Sequence, residues 1–147
     1  MNGLSAITLW ETIMSETLSY NKDEFGGVFI GHPPVAKPRM TQRDKWKKRP
    51  IVQRYRAFCD VLNIVNNRLG GRVKEILETG QVSVVFFLPI PKRRKEKEGD
   101  PHQVRPDIDN FVKSVFDAIC DDDSHIFEVK ARKQYTEGQP GIYISDL

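Results

Sequence analysis

Residues 105–126 read RPDIDNFVKSVFDAICDDDSHI, and apolar residues recur in this stretch at intervals of three and four. Such spacing places the apolar side chains on one face of an α-helix. That face consists of Ile108, Phe111, Val112, Val115, Phe116 and Ile119. Asp107 stands just before the first of them, where a helix N-cap is expected. The pattern therefore predicts a helix that is buried on one side and carries a line of polar side chains on the other.

The segments on either side of this helix predict further helices and strands. Residues 81–91, QVSVVFFLPIP, are rich in β-branched and aromatic residues and end in prolines, which is typical of a largely buried strand. Helical spacing of apolar residues recurs over 51–69, and a shorter helix that ends at Gly80 follows. Strands are also predicted at 27–31, 125–135 and 141–147, and we expect the last two to pair as a hairpin. This interleaving predicts an α/β or α+β fold in which a small mixed sheet packs against helices.

The length of 147 residues predicts a single domain. We assign residues 27–147 to this domain and residues 1–26 to an N-terminal extension with a short amphipathic helix over 4–19. No apolar run is long enough to cross a membrane, and the residues after Met1 lack a secretory signal pattern, so we expect a cytoplasmic protein with no membrane partner. Cys59 and Cys120 lack metal-binding spacing and are expected to be free thiols.

Charge is distributed unevenly along the chain. Residues 36–56 contain nine basic residues and one acidic residue, and residues 92–98, KRRKEKE, contain five basic and two acidic residues. Residues 107–123 have the opposite balance, with six aspartates and one lysine. Basic arms around an acidic centre suit a polyanion held beside a bound cation. The side chains predicted to contact the polyanion are Lys37, Arg39, Arg43, Lys45, Lys47, Lys48, Arg49, Lys92, Arg93 and Arg94.

Some of the aspartates of residues 107–123 are predicted to bind a divalent cation. Asp109, Lys113 and Asp117 lie four residues apart on the polar face of the helix. Asp107 and Asp109 can converge beside the helix N-terminus, where the helix dipole offsets part of their repulsion, and one of the three aspartates after the helix can return to the same point. Converging carboxylates require a cation, and hard oxygen ligands favour magnesium or manganese. An ammonium group beside such a metal suits phosphodiester hydrolysis, because the metal activates water while the lysine stabilises developing charge.

The segment RPDIDNFVKSVFDAI followed by DDSHI resembles the RusA family of Holliday junction resolvases, whose signature is a D-x-D-N-x-x-K helix start and a later D-D-[SA]-x-[IV]. The upstream segments VAKPRMTQRD, FFLPIPK and GDPHQVRPD resemble the same family, so the resemblance covers roughly residues 28–147. It implies an α/β homodimer that cuts four-way DNA junctions with magnesium, in the recombination and repair of DNA in a bacterial or phage-infected cell. No organic cofactor is expected. By position, Asp107, Asp109 and Asp123 match the metal-binding aspartates and Lys113 the essential lysine, with Asp122 as the alternative third ligand.

Two other functions are compatible with parts of the sequence. Pro106-Asp107 followed by Glu128 and Lys130 satisfies the PD…ExK pattern of restriction-type nucleases, which would make Asp109 and Lys113 dispensable. A basic module that binds nucleic acid without cutting it would use the aspartates only as helix caps, surface ion pairs and turns. For a homodimer, the interface is expected on the Val82–Leu88 strand, on the 51–69 helix or on the apolar stripe of residues 4–18.

Overall fold

The computed structural model describes residues 18–39 and 49–147 of the chain. The helix expected over 4–19 and most of the basic segment 36–49 lie outside the described residues. Within them the strands are β1 (Tyr20–Lys22), β2 (Val28–Ile30), β3 (Gln81–Pro89), β4 (Glu128–Thr136) and β5 (Gly141–Asp146), and the helices are α1 (Pro50–Arg68), α2 (Arg72–Glu78) and α3 (Ile108–Ile119). None of these helices has the length and apolar character needed to cross a bilayer.

The strands form one five-stranded sheet in the order β1-β2-β5-β3-β4. The β3–β4 pair is parallel and the other pairs are antiparallel. A parallel pair requires a crossover connection, and the segment between β3 and β4 that contains α3 supplies it. The predicted fold class, a single α+β domain with a mixed sheet packed against helices, is confirmed.

The core lies on one face of this sheet. Side chains alternate along β3, so that Val84 and Phe86 are fully buried, whereas Val85 and Phe87 are only partly covered. The ring of Phe86 stacks on that of Phe111 from α3, with centroids 5.2 Å apart. The three helices contribute their apolar faces to the same core cluster. We call this side of the sheet the helix face and the other side the open face.

The predicted hairpin of the last two strands is wrong. β3 lies between β4 and β5 and pairs with both, so the two strands do not pair with each other. The connection that follows Thr136 therefore passes the end of β3, where Pro89 is the last paired residue. Both strands have β-rich sequences joined by a short turn-like segment, and such local features cannot reveal that a distant third strand inserts between them.

β1 is a strand that the sequence did not predict. It pairs with β2 in an antiparallel hairpin. The Asp23 carboxylate accepts hydrogen bonds from the backbone N–H groups of Phe25 (3.0 Å) and Gly27 (2.8 Å), and it also binds the hydroxyl of Tyr143 on β5. A Cβ at Gly27 would lie 2.0 Å from the Tyr143 hydroxyl oxygen, so this contact requires glycine. The sheet thus begins inside the segment assigned to an N-terminal extension.

Candidate active site

Helix α3 forms as the apolar spacing predicts. Phe111, Val115, Phe116 and Ile119 are buried, while Asp109, Lys113 and Asp117 are exposed. Asp107 occupies the N-cap position with an extended backbone, but its side chain makes no capping hydrogen bond. The Asp107 carboxylate is therefore not used to cap the helix and is available to bind a cation.

Two neighbouring clefts open along this helix. The larger, about 580 Å³, is lined by Lys37, Pro38, Arg39, Asn110, Lys113, Asp117 and Asp123. The smaller, about 420 Å³, is lined by Ala36, Lys37, Pro38, Ile51, Arg105, Pro106, Asp107 and Asn110. The shared lining residues show that the clefts lie on either side of Lys37, Pro38 and Asn110. Lys113 and Asp123, distant in sequence from Lys37 and Arg39, thus meet them in one cleft.

The predicted metal ligands are close to these clefts but do not form a preassembled cage. Asp123 lines the larger cleft, Asp107 lines the smaller, and Asp109 lines neither. Among residues 18–39 and 49–147, no three acidic, histidine or cysteine side chains are grouped so that they could hold a metal ion. The donor chemistry nevertheless fits magnesium or manganese, because carboxylate oxygens are hard ligands.

Asp122 and Asp123 have different surroundings. The Asp122 carboxylate accepts hydrogen bonds from the backbone N–H (2.9 Å) and the hydroxyl (3.0 Å) of Ser124. These bonds, the backbone one first, hold the pKa of Asp122 below its usual range. Asp122 therefore stabilises the turn, whereas the neighbouring Asp123 side chain borders the larger cleft.

Lys37 is attached to α3 at two points. Its backbone N–H donates to the carbonyl of Asn110 (3.0 Å), and its ammonium group pairs with the carboxylate of Asp117. The preceding residues Val35 and Ala36 pack against the core. Lys37 was predicted to contact DNA, and in this structure its charge is balanced by an aspartate to which the sequence assigned no role.

The other predicted DNA contacts are only partly described. Arg39 lines the larger cleft, and its carbonyl accepts a hydrogen bond from the Arg49 guanidinium (3.0 Å). Lys92, Arg93 and Arg94 are exposed in the loop after β3, where Arg94 forms an ion pair with Glu96 at 3.4 Å. Arg43, Lys45, Lys47 and Lys48 lie outside the described residues.

The PD…ExK arrangement does not fit the register of β4. Glu128 pairs with Gln81 and Lys130 with Ser83, and the Glu128 carboxylate accepts a hydrogen bond from Gln81 at 2.9 Å. Both residues therefore lie on the open face, opposite α3 and Asp107. Pro106 instead contacts Lys133, which is five residues further along β4, or about 16 Å from Glu128 at the usual rise per residue. Asp107, Glu128 and Lys130 cannot form one site, and this prediction is wrong.

Neither cysteine is suited to act as a nucleophile. Burial raises the pKa of Cys59, which lies on α1 near Lys37 and Asp117. Burial, and next the charge of Asp123, raises the pKa of Cys120. Both thiols stay protonated at neutral pH, and the thiolate is the reactive form. Chemistry in the cleft therefore depends on the carboxylates and the ammonium groups.

Sequence reasoning assigned no role to two polar residues of the larger cleft, Asn110 and Asp117. Asn110 is part of the quoted D-x-D-N-x-x-K motif, and Asp117 continues the four-residue spacing of Asp109 and Lys113. Both signals were present in the sequence, but the partner of Asp117, Lys37, is identified only by the tertiary structure.

Comparison with known proteins gives one family and one partial relative. The family described as Endodeoxyribonuclease RusA matches residues 31–145, which is most of the chain. An uncharacterized protein of Bacillus subtilis (strain 168), YqaN, is 36% identical over a region that covers 43% of this chain and 55% of the relative. The match thus spans little more than half of that relative. No solved structure matches the chain.

Proposed function

Because the chain belongs to the RusA family of endodeoxyribonucleases, we propose that it is a magnesium-dependent endonuclease that resolves four-way (Holliday) DNA junctions by paired symmetric nicks, in DNA recombination and repair. The observation that carries the proposal is the cleft in which Lys113 and Asp123 meet the basic residues Lys37 and Arg39. A cleft of this kind offers cations to a phosphate backbone and carboxylates to a metal. The proposed location is the cytoplasm of a bacterial or phage-infected cell, where such DNA occurs.

Asp107, Asp109 and Asp123 are the proposed metal ligands. The Asp107 side chain is not used for capping, and Asp109 is exposed in the first turn of the same helix. The Ser124 hydrogen bonds of Asp122 support Asp123 as the third ligand. When bound, magnesium or manganese would polarise the scissile phosphate and lower the pKa of the attacking water.

Lys113 is proposed to stabilise charge on the phosphate during cleavage. It stands one helical turn after Asp109 and lines the larger cleft. Its exposed ammonium has no ion-pair partner among residues 18–39 and 49–147, so it can approach a phosphate without first breaking another pair there. A positioned cation of this kind stabilises the transition state more than the ground state, because negative charge develops near it as the phosphodiester bond breaks.

A homodimer is proposed because resolution requires two nicks related by two-fold symmetry. The open face of the sheet supports an interface there, since Phe29, Val85, Phe87 and Tyr143 form a partly exposed apolar surface on it. The rings of Phe29 and Phe87 are 6.2 Å apart. The apolar face of α1 is buried in the core and is not available for this role. The apolar stripe of residues 4–18 stays an alternative.

The test is incubation of the purified protein with a synthetic four-way junction, with magnesium and with a chelator, beside a linear duplex of the same sequence. We expect paired nicks in the junction only with the metal, and none with the Lys113→Ala variant. A protein that binds the junction but never cuts it, at any magnesium or manganese concentration, would instead be a non-catalytic binding module.

A further inference from the structure

Lys133 of β4 contacts the segment that leads into α3. Its ammonium group donates hydrogen bonds to the carbonyl oxygens of Val104 (2.6 Å) and Pro106 (2.7 Å), and Pro106 directly precedes Asp107. Lys133 pairs in register with Phe86, whose ring stacks on Phe111 of α3. The lysine therefore lies on the helix face, between the sheet and the start of the helix.

The first part of the segment that leads into α3, residues 99–102, is hydrogen-bonded along the edge of β4 that does not pair with β3. The N–H of Gly99 donates to the carbonyl of Tyr135 (2.9 Å), the N–H of Tyr135 donates to Asp100 (2.9 Å), and the N–H of His102 donates to Lys133 (3.0 Å). Among residues 18–39 and 49–147, the backbone hydrogen bonds between this segment and β4 end at His102. The Lys133 ammonium binds the chain further on, at the carbonyl oxygens of Val104 and Pro106.

The chemistry of this contact favours a positioning role. Two carbonyl oxygens and no carboxylate within the described residues bind the Lys133 ammonium, so its positive charge is partly uncompensated near Asp107. Burial, and next the charge of Lys133, lowers the pKa of His102. Hydrogen bonds from a charged donor are stronger than neutral ones, and they restrict the peptide groups that they bind.

We propose that Lys133 is a positioning residue for the metal site: by fixing the carbonyl groups of Val104 and Pro106, it sets the place and direction of the Asp107 carboxylate. The inference rests on the proposed function, because it takes Asp107 as a metal ligand. Groups that orient metal ligands from outside the coordination sphere typically change metal affinity or activity 10- to 100-fold, roughly, when they are removed.

The experiment compares Lys133→Met and Lys133→Arg with the wild type, using the full-length protein. Lys133→Met keeps most of the side-chain length but removes the donors and the charge, and Lys133→Arg keeps both. Lys22→Met is the control, since Lys22 is also a strand lysine but is exposed and lies in β1 at the opposite edge of the sheet. The measurements are Mn²⁺ affinity by electron paramagnetic resonance, the Mg²⁺ dependence of junction cleavage, and thermal unfolding.

We expect Lys133→Met to weaken Mn²⁺ binding about 10-fold or more and to shift the Mg²⁺ dependence to higher concentration, with Lys133→Arg restoring most of the affinity and Lys22→Met unchanged. If the wild-type protein cuts junctions and Lys133→Met binds Mn²⁺ with unchanged affinity, the positioning role is overturned and the proposed function stands. A wild-type protein that neither binds Mn²⁺ nor cuts would overturn both. If Lys133→Met does not fold, Lys133→Gln, which is neutral and keeps one amide donor group, is judged by the same outcomes.

Discussion

The ammonium group of Lys37 pairs with the carboxylate of Asp117, 80 residues away in sequence, on the wall of the cleft that also contains Lys113. The pair holds the Lys37 ammonium group at the cleft while the Asp117 carboxylate balances its charge. Its side chains are only about two-thirds covered (36% and 37% exposed), so the pair contributes little to stability, on the order of 0–1 kcal/mol. Its main consequence is electrostatic, because a DNA phosphate would have to compete with Asp117 for Lys37.

Asp117→Asn should therefore strengthen junction binding. The amide cannot balance the Lys37 charge, so the freed ammonium can neutralise a phosphate, and the slope of log K against log salt should become steeper by about one unit. Fluorescence anisotropy with a labelled junction at several salt concentrations measures both quantities. Thermal unfolding should change little, and a weaker affinity with an unchanged slope would show that the pair is needed for the fold of the cleft.

Asp123→Asn and Asp122→Asn should differ sharply in cleavage. Loss of the Asp123 carboxylate removes a proposed metal ligand, so the rate should fall by orders of magnitude while junction binding persists, as for Asp107→Asn and Asp109→Asn. Asp122→Asn retains an oxygen that can accept from Ser124 and should keep most of the activity. Single-turnover cleavage of a junction at saturating Mg²⁺ measures the difference. The reverse ranking would make Asp122 the third ligand.

Neutralising the basic residues Lys45, Lys47 and Lys48 together should weaken binding to all DNA. Each lost phosphate contact reduces the salt slope by about 0.9 units on duplex DNA. Junction and linear duplex should lose affinity in parallel, because phosphate contacts carry no sequence information. A salt titration of the triple alanine variant checks this, and an unaltered slope would mean that these side chains do not contact phosphates.

Val85→Glu should separate the dimer without unfolding the domain. Val85 points to the open face, so a carboxylate at this position does not enter the core but would be buried in an apolar interface. Analytical ultracentrifugation should show a monomer that binds a junction and produces no paired nicks. A mixed dimer with one Lys113→Ala subunit, built on the unaltered interface, should cut only one strand. A Val85→Glu protein that stays dimeric would exclude the open face as the interface.

The Asp23–Tyr143 contact should make stability depend on pH in acid. The Tyr143 hydroxyl, followed by the backbone N–H groups of Gly27 and Phe25, lowers the pKa of Asp23, while the pKa of Tyr143 is raised. A carboxylate whose pKa is lowered by folding stabilises the protein above its unfolded pKa of about 3.9 and loses that effect as the pH falls through the folded value. Tyr143→Phe should therefore lower the melting temperature at pH 7, and the difference from the wild type should shrink as the pH falls below about 4 and disappear below the lowered pKa of Asp23. A difference in melting temperature that persists at lower pH would show that Tyr143→Phe acts through packing and not through the Asp23 carboxylate.

The sequence by itself determined the helices α1, α2 and α3, the buried strand β3 and the polar face of α3. These features arise from local spacing, because a period of 3.6 residues brings Asp109, Lys113 and Asp117 into line wherever that helix is placed. The D-x-D-N-x-x-K motif also identified the family, since it concerns residues within one helix.

Only the tertiary structure decided which distant segments meet. The placement of β3 between β4 and β5 depends on strand pairing that a local pattern does not encode, and it put Glu128 and Lys130 on the opposite face from Asp107. The pairing of Lys37 with Asp117 and the contact of Lys133 with Pro106 arise in the same way. Each joins a lysine to a partner on a distant segment of the chain, so its effect depends on packing across the fold and is not visible in the residues on either side of the lysine.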